Sequence, residues 1–356
     1  MMMEQRIKQI LDAFPRIKIA VIGDYFLDKW LTVDRRLDEV SVETGLTAYQ
    51  VTAKRIFAGA AGTVMSNLSA LDIGELYAVG FIGDDGEGFE LLRDLHAKRV
   101  NTDFLIKSTR VMTPTYTKPM FLVDGKETES SRLDFKNKNV TPEELEEHVI
   151  QNLWAVAPQV NAIIALDQIS DANHGVITDR VRAELARVAE KYPSLVIFAD
   201  SRAFINKFRN IIVKCNDLEA VRIVRPDLAG ARQELDVVKD CLAELSKLTG
   251  RRVFVTCGKR GVLAQRDGGG AELVPAVPDP EGPFDIVGAG DACTSGIVSS
   301  LCAGATAEEA ALIGNLVSSI TIQFVGECGT ATREGILKRF SEHYGGHAWP
   351  PSSTLS

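Results

Sequence analysis

The sequence predicts an α/β fold: a mainly parallel central sheet between helical layers, with a small β-sheet attached as a lid. Three observations carry that prediction. Short β-branched and apolar runs recur along the chain, helical patterns lie between several of them, and two stretches interrupt the alternation.

An opening helix leads to Lys18 to Gly23 (KIAVIG), a buried-strand pattern closed by a glycine turn. Comparable runs stand at Leu76 to Phe81, Ala162 to Leu166, Leu195 to Ala199, Ile211 to Val213 and Arg252 to Thr256. Helical patterns occupy Thr63 to Leu71, Gly88 to Lys98, Pro142 to Leu153 and Thr178 to Lys191. Parallel strands need such crossovers, which cover both faces of the sheet. The interrupting stretches, Trp30 to Ile56 and Lys107 to Phe135, alternate threonine, tyrosine and valine with polar residues, the second around a turn at Asp124-Gly125. They are expected to be antiparallel strands of a separate small sheet; the plainer alternative is a pair of surface hairpins. Residues 1–344 read as one domain, with lid strands from about 30–56 and 107–135, and 345–356 as a flexible tail.

The composition narrows the function. With 356 residues, 45% of them hydrophobic, the chain can bury one large core. A formal net charge of -8 argues against a surface for nucleic acid or for an anionic membrane, both of which need clustered Lys and Arg. Six scattered cysteines without a C-x-x-C spacing exclude the usual zinc and disulfide frameworks and point to a reducing, cytoplasmic setting. No leader-like segment opens the chain and no run is long enough to span a membrane. Five histidines lack any H-x-x-x-H or H-E-x-x-H spacing, which leaves a zinc hydrolase without ligands.

Chemistry concentrates at Asp285 to Ala292 (DIVGAGDA), followed by a small-residue helix, CTSGIVSSLCAGA. Gly288, Ala289 and Gly290 let backbone amides at a helix N-terminus approach an anion closely. Asp291 stands beside them and, expected to be ionised at neutral pH, can accept a proton from an attacking alcohol. A simple helix cap is the alternative for Asp291 alone. Cys293, two residues on, reads as packing rather than as a nucleophile.

With these pieces in order, the sequence from about Lys18 to Thr332 resembles the ribokinase-like (PfkB) carbohydrate kinases, whose late signature D-x-x-G-A-G-D is matched by Asp285 to Asp291. The resemblance implies a ribokinase-like three-layer sandwich and an ATP-dependent sugar kinase, with Asp291 as general base and the amides of Gly288 to Asp291 as anion hole. Thr256, Gly258 and Gly261 match the family's T-x-G-x-x-G turn along the ATP phosphates. Asn216 and Glu219 match its N-x-x-E element, which implies Mg2+ held by Glu219 and, through water, Asn216. Gly23-Asp24 matches the family's G-D and implies that Asp24 binds sugar hydroxyls, while Gly80 to Gly88 reads as structural turn chemistry.

Two departures stand out. Where relatives carry G-G-x-x-x-N, this chain has Gly59, Ala60 and Thr63, so threonine replaces the sugar-contacting asparagine. Ile286-Val287 replaces hydroxyl residues in the region that binds a monovalent cation in relatives, which removes the ground for predicting one. GDYFLDKW, SRLDF and VGECGTAT bring the chain closest in appearance to the heptose-phosphate kinases of the ADP-heptose pathway, and Ser41-Val42-Glu43 partly preserves their S-P-E. Bifunctional members append a nucleotidyltransferase, and none is expected within these 356 residues. Arg35 and Arg36 could meet a substrate phosphate or be a solvated charge pair. A nucleoside kinase and a non-catalytic sugar or nucleotide sensor are the rival readings. A dinucleotide oxidoreductase lacks its G-x-G-x-x-G after the first strand. Exposed lid edges predict a homodimer formed through the lid.

Overall fold

The computed structural model describes residues 2–344 except 124, 267, 279–281 and 327. The expected tail at 345–356, Asp124 of the expected turn and Glu327 of VGECGTAT therefore lie outside the described residues.

In chain order the elements are α1 (Met2–Ala13), β1 (Lys18–Gly23), β2 (Tyr25–Val33), β3 (Glu39–Val40), β4 (Thr47–Ala48), β5 (Val51–Ala60), α2 (Ala61–Ala70), β6 (Glu75–Gly83) and α3 (Gly86–Ala97). Next come β7 (Val100–Ser108), β8 (Thr115–Val123), β9 (Lys126–Glu129), β10 (Leu133–Phe135), α4 (Glu143–Val156), β11 (Ala162–Asp167), α5 (Asp179–Lys191) and β12 (Val196–Ser201). The chain continues with β13 (Ile212–Asn216), α6 (Asp217–Val224), α7 (Leu235–Thr249), β14 (Val253–Thr256), β15 (Val262–Gln265), β16 (Ala271–Val274), α8 (Ala289–Cys302), α9 (Ala307–Thr321) and α10 (Arg333–Tyr344).

A nine-stranded sheet runs in the order β16-β15-β14-β13-β12-β11-β1-β6-β7. Seven of its strands, β14 through β7 in that order, pair in parallel, and β15 is antiparallel to both β14 and β16. The continuous apolar run of β1 follows from burial on both faces. Ile19 and Val21 enter the core shared with α1, α2, α8 and α9, and Ala20 and Ile22 enter the opposite core with α4, α5 and α7. Helices on both faces of the sheet make the predicted three layers.

Gly23 shows how tightly the ladder is closed: an added Cβ would overlap the carbonyl of Leu166 on β11. Gly23→Ala is expected to destabilise the fold by about 1–3 kcal/mol, because backbone rather than a rotatable side chain must yield. A thermal or urea melt of that variant checks it, and an unchanged midpoint would contradict it.

The small sheet has the order β10-β8-β2-β5, with β9 also paired to β8. Its limits and directions differ from the expectation. The first segment begins at Tyr25, not Trp30, because only Asp24 separates β1 from β2. Residues 107–108 end β7 of the central sheet, and the second segment enters the small sheet at Thr115. β2 pairs antiparallel with β5 but parallel with β8, so the sheet is mixed. Period-two patterning reports a pleated strand and its buried face, but not the direction of its partner.

Candidate active site

The candidate residues collect where the parallel strands end, at the carboxyl edge of the sheet, as crevice geometry in open α/β sheets favours. Gly288 caps α8 at φ +79°, a left-handed conformation that a side chain would strain, and it brings Asp291 into the first helical turn. A Cβ on Gly288 would stand 3.5 Å from Thr63 Cγ2 and 4.0 Å from Cys328 Sγ. The DIVGAGD turn therefore lies against the start of α2 and the segment before α10.

Asp291 differs from its expected state. Its residue surface is only half-buried, but protein packs densely around the carboxyl. Burial, with Asp200 next, pushes it up to about 7, against the opposing pull of Lys214 and Arg202. The helix terminus that should favour its anion is outweighed by desolvation and a like charge. At neutral pH the carboxyl is thus divided between its two forms, not fully ionised.

Asn216 and Glu219 form a reciprocal cap on α6. Asn216 Oδ1 accepts from Glu219 N at 2.8 Å, and Glu219 Oε2 accepts from Asn216 N at 2.9 Å. Burial raises the Glu219 carboxyl above its ordinary value. Among the described residues no three His, Cys, Asp or Glu side chains are grouped to cage a metal. One uncommitted Glu219 oxygen fits an ion that keeps most of its waters, as Mg2+ does.

Thr256 is the register partner of Asn216, so the T-x-G-x-x-G turn begins beside that cap. Cys257 N donates to Gly261 O at 2.7 Å, and a Cβ on Gly261, whose φ is +110°, would overlap the Val274 carbonyl. Gly258 sits at φ +58°. Lys259 Nζ lies 5.5 Å from the ring centre of Phe284, linking this turn to the segment leading into Asp285.

Asp24 has a different setting from the one anticipated. It is buried, with Oδ1 accepting from Val176 N at 2.8 Å and Oδ2 from Gln168 N at 3.0 Å. Its carboxyl, pushed up to about 7 by burial and by Asp167, staples the segment after β11. The sequence reading missed Asp28, which faces the candidate site. A Cβ on Gly59 would overlap Asp28 Oδ2, which explains glycine at that position of β5. Burial raises the Asp28 carboxyl, opposed by Lys118 and Arg132. Cys328 lies within the fields of both Asp28 and Asp291 and hydrogen-bonds Thr63; burial, then those two carboxylates, push its thiol up to about 11. Thus Asp28, Gly59, Thr63, Cys328, Gly288 and Asp291 share one neighbourhood. A signal for Asp28 was present: an acid in the apolar strand YFLDKWLTV, on the same face as Phe26 and Trp30.

Lys118 and Trp30 are paired on that face, with the ammonium 5.0 Å from the indole centre. Arg132 stands 4.5 Å and Lys136 5.5 Å from the ring centre of Tyr116. Tyr116 and Lys136, with Phe26, Asp24 and His174, line a cavity of about 410 Å³. Arg132 and Lys136 both pair with Asp134, at 2.6 and 3.3 Å, and Arg35 and Arg36 pair with Asp38 at 3.2 Å and Asp34 at 2.6 Å. Ile286 and Val287 are exposed, and Cys293 is buried. No helix among the described residues is long and apolar enough to cross a membrane.

Known proteins resemble this chain in sequence and in fold. "Bifunctional protein HldE" of Psychromonas ingrahamii is 26% identical over 326 residues, and its counterpart in Wolinella succinogenes 27% over 328; each match takes in 91% of this chain. The chain spans only 63% and 64% of the length of those two relatives. Among solved structures, Arabidopsis thaliana ribokinase complexed with ribose and ATP has a TM-score of 0.66 at 18% identity, covering 91% of this chain and 98% of that one. Phosphofructokinase-2 from Escherichia coli, in complex with substrates and products, has a TM-score of 0.67 at 16% identity, covering 92% and 99%. Both show the ribokinase-like fold. The pfkB family carbohydrate kinase pattern matches residues 16–332, and the chain accordingly belongs to that family.

Proposed function

We propose that this chain transfers the γ-phosphoryl group of ATP to a hydroxyl of a sugar phosphate. The observation that carries the reading is the placement of two half-buried carboxylates, Asp28 and Asp291, about one glycine-floored neighbourhood bounded by Gly59, Thr63 and Gly288. Asp28 accepts sugar hydroxyls and orients the acceptor. Asp291 takes the proton of the attacking hydroxyl as its oxygen bonds to phosphorus and the bond to the ADP oxygen breaks. The amides from Gly288 to Asp291 receive the charge on the transferring group, so positioning and preorganised dipoles supply most of the acceleration. Thr256, Gly258 and Gly261 border the nucleotide phosphates. Glu219 and, through water, Asn216 would hold Mg2+, which offsets phosphate charge when bound.

Asp24 is assigned the stapling of the segment after β11, and Asp28 the sugar contact. An already phosphorylated acceptor is favoured by Lys118 and Arg132, two cations beside Asp28, with Lys136 near them. The closeness to heptose-phosphate kinases makes a heptose phosphate the first compound to try. Lys118→Met with Arg132→Met is expected to raise KM for a phosphorylated acceptor about 100-fold, given roughly 1.5 kcal/mol for each charged hydrogen bond. An equal rise for the unphosphorylated sugar would refute the assignment.

ADP release with magnesium and ATP, across sugars, sugar phosphates and nucleosides, tests the whole reading. Turnover of nucleosides alone would install the nucleoside-kinase alternative. Silence with intact ATP binding would favour the sensor.

Two copies are proposed to pair through the small sheet. β5 is an edge strand, and Val51, Val40 and Leu46 are exposed at or near it. Light scattering is expected to give twice the chain mass; one chain mass would contradict pairing.

A further inference from the structure

Beneath the glycine turn lies a cation that the reading so far leaves without a task. Lys214, on β13, is buried, its side chain only 5% exposed. Its Nζ donates to Asp200 Oδ2 at 2.5 Å, and Thr294 Oγ1 donates to the same oxygen at 3.1 Å. Asp200 is its one hydrogen-bond acceptor among the described residues, although an ammonium carries three donors. The head group lies against the anion-binding turn: a Cβ on Gly290 would stand 3.8 Å from Nζ.

Stability alone gives a poor reason for such a group. Burying an ion pair costs desolvation that its mutual attraction only offsets, and well-packed apolar replacements are often as stable. Held by Asp200, braced through Thr294 of α8 and facing the glycine that precedes Asp291, the ammonium is instead preorganised toward an anion at the helix N-terminus. Gly290 adds no side chain between them.

We propose that Lys214 is a catalytic residue, whose two remaining N–H groups donate to oxygens of the transferring phosphoryl group alongside the amides of Gly288 to Asp291. As the γ-phosphorus leaves the bridging oxygen of ADP and bonds to the acceptor oxygen, Lys214 keeps its protons and lowers the energy of the negative charge on the transferring group; the acceptor proton goes to Asp291. The inference rests on the phosphoryl-transfer reading above. Asp200, Asp291 and Cys293 lie within the field of the ammonium, so a simple removal of Lys214 would leave the Asp200 carboxylate buried without its counter-charge, held only by Thr294.

The test therefore uses Lys214→Met and the paired variant Lys214→Met with Asp200→Asn, which removes both charges together. Turnover is measured, as is equilibrium binding of ATP and ADP by calorimetry without acceptor. In the folded paired variant kcat is expected to fall about 100-fold, the size of effect seen when one preorganised donor to a developing oxyanion is lost. The Kd for ATP is expected to rise about 100-fold, two lost charged hydrogen bonds, and that for ADP by less than about threefold, since only ATP brings the γ-phosphoryl group. If the paired variant keeps wild-type kcat, or if ATP and ADP binding weaken equally, Lys214 is a counterion of Asp200 and the inference falls. If the unaltered protein neither binds ATP nor turns over any acceptor, the kinase reading itself falls with it.

Discussion

Asp291→Asn is expected to lower kcat by about 10²- to 10⁴-fold, the range over which a positioned general base contributes, while acceptor binding changes little. Asparagine keeps the size of the side chain and its place in the first turn of α8, so the anion hole beside it survives. What disappears is a group able to hold the acceptor proton. Turnover comparable to the unaltered protein would refute Asp291 as the base. The same carboxyl is expected to set a pH dependence in the unaltered enzyme. Because burial and Asp200 push it up to about 7, it is protonated and inactive below that value. The sign follows directly: kcat rises with pH through about 7, falls about tenfold per unit well below it, and levels off above. A profile flat from pH 5 to 8 would contradict a base with this carboxyl.

Asp28→Ala is expected to lower kcat/KM by at least about 100-fold, because two charge-assisted hydrogen bonds to acceptor hydroxyls are worth roughly 1.5 kcal/mol each. The effect should appear chiefly in acceptor KM, with ATP binding unaltered. The carboxylate sits over Gly59, and its removal leaves Lys118 and Arg132 without that acid nearby. Asp24→Ala serves as the contrast. Asp24 accepts from the amides of Gln168 and Val176, so its loss should appear in the melting temperature. A larger kinetic effect at Asp24 than at Asp28, in a protein of unchanged stability, would reverse the two assignments.

Much of the architecture could be read from local chemistry. KIAVIG and its like mark β1, β11, β12, β13 and β14 because strands covered on both faces must be apolar throughout. Strands that lack that double burial were harder to see. β7 is an edge strand and half-exposed, and β16, only four residues long, is half-exposed at the other edge, so neither shows a clean period; β15 is buried on both faces but too short to stand out. The turn at Gly288 and the cap at Asn216 were legible because both are local: their partners lie within a few residues.

Contacts across the chain were not legible. Asp28 meets Gly59 from another strand, Lys118 joins it because β2 and β8 happen to run parallel, and Lys214 reaches Gly290 from β13. The protonation of Asp291 depends in the same way on Asp200, ninety-one positions earlier in the chain. Short-range patterning therefore specified the class of fold, the glycine turn before α8 and the acid beside it, since backbone geometry and helix termini are set by neighbouring residues. Which carboxylates and which cation gather at the candidate site, and how readily Asp291 ionises, were decided by packing, because burial and through-space charge exist only once distant strands have been brought to the same edge of the sheet.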